Sequence, residues 1–225
     1  MCGRFAQTQS GVTVAQAFQL PVTPELEPRY NIAPSQPVAV VAQSRRTGDR
    51  TYHEKQWGLI PGWSKEASIG YKLINARSET VADKPSFRNA FQKRRCLIVA
   101  DGFYEWQKAL KGQDKQPYLI KLKSRSLFAF AGLWERWRSP DTEEPIFSCT
   151  ILTTAANAAM APIHHRMPVI LPPAAYEPWL DPTYYNRGEL EALLAPYEPD
   201  AMEAIAITTA VNNPRHDSAA VQMPV

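Results

Sequence analysis

The chain opens MCGRFA, with a cysteine directly behind the initiator methionine. A residue as small as Cys2 lets Met1 be trimmed easily, which would leave a thiol and a free α-amine on adjacent carbons. Near neutral pH both groups are partly nucleophilic, since an α-amine titrates at about 7.7–8.0 and a thiol at about 8.5. The amine condenses with an aldehyde to an imine, and the thiol can then close on the imine carbon to give a five-membered thiazolidine. Effective molarities on the order of 10⁵ M or more favour that intramolecular step, which a lysine imine lacks. The competing reading is a small residue in an N-terminal strand.

Other chemistry-bearing residues recur at short spacing. Arg4 would share a strand face with Cys2, as a solvated cation or as a phosphate clamp that also depresses the thiol pKa. Asn75 and Arg77 in "INAR" repeat the two-residue spacing, and Asn is depleted in strands, so it has a polar role or marks a turn. In "ADGFYEWQ" alternation puts Phe103 and Glu105 on one face, Tyr104 and Trp106 on the other. A carboxylate among aromatics suits acid–base work; an exposed hairpin glutamate explains the segment equally well. "IHHRMPVIL" supplies His164, His165 and Arg166, read as proton transfer plus anion binding. Adjacent histidines diverge and HExxH is absent, so no metal is expected.

Aromatic and basic residues interleave at Trp57, Trp63, Tyr71, Arg88, Lys93, Arg94 and Arg95, the pairing that single-stranded nucleic acid requires. Most tryptophans in any domain are core, so this is support only. GxxxxGK and GxGxxG are absent, and no cofactor is expected.

The elements that must position these residues follow from composition and periodicity. The 225 residues suffice for one continuous core, and 44% hydrophobic with 21% charged is ordinary for a globular chain. Twenty prolines against ten glycines argue for short elements joined by rigid loops. A net charge of +3 permits a local basic groove. Cys2, Cys96 and Cys149 cannot all pair and show no CxxC spacing, so no disulfide framework is expected. Neither a signal-peptide h-region nor a bilayer-length apolar run is present. The expectation is a reduced, intracellular, cytoplasmic protein.

Strands are expected at Cys2–Gln7, "VAVVAQ", Tyr52–Leu59, "LINARSET", "CLIVADGFYEWQ", "QPYLIKL", "LFAFAGLWERW", "IFSCTILTTAA" and "AIAITTAV". "RRTGDRT" reads as one hairpin turn and "KALKGQDK" as another. Helices are expected at Thr13–Leu20, near "PSFRNAFQKR", and at Ala155–Ala161, Pro173–Leu180 and Gly188–Leu194. Many strands without βαβ alternation predict an α+β fold in one domain, residues 1–225.

Six motifs in order, "MCGRFA", "RYNIAPSQPV", "WGLIPGW", "INARSET", "RRCLIVADGFYEW" and "IHHRMPVIL", resemble the SOS-response-associated peptidase family. Its members shield abasic sites in single-stranded DNA. The resemblance implies a barrel-like, mostly antiparallel β core with short flanking helices and a positively charged DNA groove. It implies that Cys2, freed of Met1, forms a thiazolidine with the ring-opened sugar aldehyde. Asn75 would hydrogen-bond near the new ring, Glu105 would handle protons, and His164 would help open the sugar. Arg4, Arg77 and Arg166 look like phosphate ligands, Trp63 like a stacking surface at a DNA junction, and Asn31, Pro34 and Ser35 like a loop along the strand. Some members carry an acidic residue in place of His165, whose role stays open, as do assignments around "NNPRHD".

The expected partner is abasic single-stranded DNA, bound by a monomer that becomes nucleoid-associated on DNA. Two other readings compete. One is a cysteine peptidase of the N-terminal-nucleophile type, self-processing at Cys2. The other is a non-covalent DNA-end binding module in which Cys2 is incidental.

Overall fold

The computed structural model describes residues 2–108, 114–139 and 144–225. In chain order the strands are β1 (Phe5–Gln7), β2 (Arg29–Ile32), β3 (Pro37–Gln43), β4 (Arg50–Trp57), β5 (Asn75–Arg77), β6 (Arg95–Ala100) and β7 (Gly102–Gln107). They continue as β8 (Gln116–Leu122), β9 (Phe128–Arg138), β10 (Pro145–Ala155), β11 (Arg166–Pro168), β12 (Ile170–Leu171) and β13 (Met202–Ala206). Four short helices accompany them: α1 (Gly11–Phe18), α2 (Arg88–Lys93), α3 (Tyr176–Leu180) and α4 (Arg187–Ala192).

One sheet runs β13-β8-β7-β1-β2 and is antiparallel throughout. The other runs β11-β10-β4-β3-β6-β9-β12, and an additional β9–β10 pairing closes its centre into a five-stranded barrel. Closure removes the exposed strand edges that such a sheet would otherwise present. Only β4 and β5 lie parallel to β10. The fold is therefore α+β, as the pattern of elements predicted, with the barrel core that the family resemblance implied.

Period-two alternation builds two cores from the same barrel strands. Val40, Ile98 and Phe130 pack toward the five-stranded sheet with Phe5, Phe103 and Cys2. Phe5 sits edge-on to Trp57 and Phe130, at centroid distances of 5.2 and 5.6 Å. On the opposite face Val41, Leu97 and Val99 pack with Phe18, Phe91 and Trp179 under the helices. Outside the five-stranded sheet, Ala6, Tyr104 and Leu119 are covered by Val211 and Val221 of the C-terminal segment.

Several local expectations shift. Only Phe5–Gln7 of the first predicted strand is extended in a sheet; residues 2–4 run as irregular chain into the core. Helix α1 begins two residues early because Ser10 caps it, its hydroxyl accepting from the Thr13 amide at 3.2 Å. Residues 155–161 do not form a helix: β10 extends to Ala155, and the Asn157 carboxamide then caps a tight turn by accepting from the Met160 amide at 3.0 Å. The last strand stops at Ala206, and 209–212 form a 3₁₀ turn. The expected hairpin turn across 108–115 lies largely outside the described residues.

Two members of the expected nucleic-acid stripe are internal. Trp57 is fully buried, its indole donating to the Ile74 carbonyl at 2.8 Å. Arg95 is 3% exposed and donates to the carbonyls of Phe91, Gln92, Trp179, Asp181 and Tyr184 at 2.5–2.8 Å. Phe91, Gln92 and Trp179 lie in the last turns of α2 and α3 and Asp181 directly follows α3, so these four carbonyls are ones the helices cannot satisfy internally; Tyr184 lies in the loop beyond, and a single guanidinium thus caps two helices at once. Arg95→Met should leave them buried without donors, at about 3 kcal/mol. The expected result is a melting temperature about 6–12 °C lower, read by calorimetry; an unchanged transition would refute the capping role.

Candidate active site

Cys2 has no exposed surface. Its carbonyl accepts from Asn75 Nδ2 at 2.8 Å. Asn75 reaches it because β5 pairs with β10, Asn75 opposite Ile151, on the barrel strand that faces the N-terminal segment. This is the polar role that an asparagine in a strand suggested. Asn75 Oδ1 is also buried and accepts no hydrogen bond among the described residues. An acceptor held 
in the core in this state favours a donor brought in by a ligand.

Burial pushes the Cys2 thiol far above its ordinary range, and the nearby Glu105 carboxylate raises it further. Arg4 lowers it only slightly, through its backbone carbonyl 4.0 Å from Sγ, and not through the guanidinium as expected. Because residues 2–4 are not in a strand, Cys2 and Arg4 do not share a face: Cys2 packs with Phe5 while Arg4 donates to Asn31 Oδ1 and the Val211 carbonyl, both at 2.8 Å. At neutral pH the resting thiol is therefore protonated.

Glu105 is 4% exposed, on the side of β7 that faces the Cys2 core, while Tyr104 and Trp106 face the C-terminal segment. Glu105 also lines a cleft of about 740 Å³ together with Trp106, Lys115, His164, Thr209 and Asn212. Glu105 thus connects the cleft to the cysteine. His164 Nδ1 lies 3.0 Å from both backbone polar atoms of Arg166, which anchors the ring to β11. His165 is exposed and stacks on His164 at 4.4 Å. The positive charge of His164 is the largest influence lowering the His165 pKa, which disfavours double protonation.

The candidate phosphate ligands divide by what already holds them. Arg77 is exposed at the end of β5. Arg166 is clamped: its guanidinium pairs with both carboxylate oxygens of Glu79 and donates to the Thr153 carbonyl at 2.6 Å. Arg4 is half-buried, 6.0 Å above the Trp106 ring. Asn31 is wholly buried; its amide donates to the carbonyls of Val211, Asn213 and His216 while its oxygen receives Arg4. Asn31 therefore orients Arg4 in this arrangement, whereas Pro34 and Ser35 stay partly exposed, with Ser35 in the left-handed region at φ 72°.

Trp63 and Tyr71 are 59% and 69% exposed and line a depression of about 750 Å³ with Lys65 and Lys72. Of the expected aromatic and basic stripe, Trp63, Tyr71, Arg88 and Lys93 are exposed, and only the two aromatics line this depression. Among the described residues no group of three His, Cys, Asp or Glu side chains could hold a metal, and no helix is long and apolar enough to cross a membrane.

Sequence reasoning missed two groups. Glu79 carried no signal, since only the fold brings it to Arg166. The "NNPRHD" stretch was left open, and it is a strap: Asp217 accepts from the amides of Tyr30 and Asn31 and from Arg29 Nε at 2.5–2.8 Å.

If the Glu105 charge helps keep Cys2 protonated, Glu105→Gln should move alkylation of Cys2 to lower pH. Cys2-specific mass spectrometry against pH measures this. An unmoved profile, or one moved upward, would separate the two groups.

Residues 1–214 match the family model described as SOS response associated peptidase (SRAP). The chain is 45% identical to the abasic site processing protein YoqW of Bacillus subtilis, covering 97% of each. It is 34% identical to the abasic site processing protein HMCES of Gallus gallus, over 88% of this chain and 66% of that one. An X-ray structure of a Bacteroides thetaiotaomicron protein superposes with a TM-score of 0.88 at 28% identity, each chain fully covered. With its motifs in order and its fold shared, the chain belongs to the SOS response associated peptidase family.

Proposed function

We propose that this protein, once Met1 is removed, captures abasic sites in single-stranded DNA as a covalent thiazolidine on Cys2. The observation that carries the reading is the placement of Cys2 between Asn75, which holds its carbonyl, and Glu105, which also lines the cleft with His164. The relatives named above as abasic site processing proteins support it.

The chemistry balances with the residues present. His164 moves the proton from the anomeric hydroxyl to the ring oxygen, opening the sugar to its aldehyde. The Cys2 amine adds to the carbonyl carbon, and Glu105 protonates the resulting hydroxyl so that it leaves as water. The thiol then adds across the C=N bond, sulfur to carbon and proton to nitrogen, with one water released overall. A protonated resting thiol suits this order, because the amine attacks first. The Asn75 oxygen accepts from the ring N–H. Arg77 offers a cation to the flanking phosphate, Arg4 and Arg166 offer theirs when their present partners yield, and Trp63 offers a stacking face. A single copy of the chain holds all of these groups, which favours a monomeric working unit. The adduct consumes the aldehyde and shields it from nucleases and from lysine amines that promote strand cleavage.

Peptidase action is read as confined to exposing Cys2, and turnover of peptide substrates over many cycles would speak against that. A non-covalent mode predicts equal affinity for intact and abasic strands, with steep salt dependence.

Intact mass spectrometry, alone and after mixing with an abasic oligonucleotide, reads methionine loss and capture together. The wild type should add the oligonucleotide mass less one water and survive denaturing electrophoresis. Cys2→Ala and an N-terminally acetylated protein should form no thiazolidine, and Asn75→Ala should form it at least tenfold more slowly. Adduct formation by either blocked form at the wild-type rate would reject the mechanism.

A further inference from the structure

At one end of the barrel lies a cavity of about 640 Å³ that shares no lining residue with the Glu105 cleft. Its walls come from the end of β3, Thr51 to Lys55 of β4, the start of β6, and Trp134 of β9 with Phe147 of β10. All five barrel strands contribute, so this is the barrel mouth, a place where β-barrels commonly take small ligands.

Lys55 lines it. The residue is 5% exposed, and its ammonium sits 4.5 Å from the Trp134 ring centroid and 4.9 Å from that of Phe147. Among the described residues it forms no ion pair and no hydrogen bond. Ring quadrupoles attract a desolvated ammonium, but far less than its lost hydration did. Burial accordingly lowers the Lys55 pKa. The groups packed beneath it are the protonated thiols of Cys96 and Cys149, both raised by burial.

The surroundings add positive charge rather than a counter-ion. Arg45 and Lys93 line the rim with their side chains exposed, and Glu54 is the sole carboxylate of the lining, itself accepting from the Tyr52 hydroxyl at 3.3 Å. Arg94 is already neutralised by Glu135 at 2.6 Å. A buried cation facing a cavity with two further cations at its rim is complementary to a compact dianion. The exposed edge of Phe147, 39% accessible, adds an apolar surface beside it.

We infer that the barrel mouth binds a phosphate group, with Lys55 as its inner contact and Arg45 and Lys93 at the rim. The phosphate belongs either to a free phosphomonoester or to a nucleic-acid strand. Neither source needs Cys2, so the site stands or falls separately from lesion capture.

Calorimetric titration at low salt with inorganic phosphate and with dAMP tests the assignment. The wild type should show saturable binding, and Lys55→Met, which keeps the chain length in the aromatic box, should weaken it at least tenfold. Should that variant fail to fold, the exposed double change Arg45→Ala with Lys93→Ala decides, with an expected loss of severalfold. Displacement of dAMP by an intact oligonucleotide assigns the phosphate to a strand, and absence of displacement assigns it to a free phosphomonoester. No saturable binding by the wild type, or wild-type affinity in Lys55→Met, would overturn the site; a purely structural lysine would shift the melting temperature and leave phosphate binding untouched.

Discussion

The bond from the Asn75 amide to the Cys2 carbonyl depends on a closed barrel. Asn75 lies on a three-residue strand with no independent stability, and it is held only because β10 accepts it as a parallel neighbour. β10 is in turn fixed by its long antiparallel pairing with β9, from Pro145↔Arg138 to Ile151↔Gly132. The N-terminal segment meets this platform through Phe5, wedged against Trp57 and Phe130. A chain end would ordinarily fray. Here apolar burial brings it inward and one amide fixes its backbone.

That placement sets the electrostatics. A thiol deprived of water and set beside a carboxylate is held toward its protonated form, which is why the proposed mechanism begins at the neighbouring amine. The same carboxylate borders the solvent cleft, where a proton can be exchanged. In the proposed mechanism the conflict between burial and nucleophilicity is resolved by dividing the work between two atoms of one residue. A cysteine peptidase would need the opposite arrangement, a thiolate stabilised by a positive partner.

The cations proposed as phosphate ligands are already engaged to different degrees. Arg166 is bound to Glu79, Arg4 to Asn31 and a backbone carbonyl, and Arg77 is exposed. Pre-ordered guanidinium groups lose less side-chain entropy when they meet a phosphate, at the cost of displacing a present partner. The C-terminal strap contributes here: Asp217 fixes the amides of Tyr30 and Asn31, and Asn31 fixes Arg4.

Much of the candidate site was legible in residue types and order. Cysteine at position 2, an asparagine inside an apolar strand and a glutamate among aromatics each violate local preference, and such violations cluster at functional sites. Alternation also assigned Glu105 to the face of Phe103 correctly, because period two survives wherever a strand is regular. It failed for Cys2 and Arg4, where the chain is irregular, and for residues 155–161, where pairing with β11 extended a strand into a region of helical propensity. Sequence could not distinguish Arg95, buried under five carbonyls, from Arg77 in solvent, nor foresee Glu79 on Arg166 or Lys55 between two rings. Those outcomes depend on contacts between residues far apart in the chain, and only closure of the barrel brings them within reach.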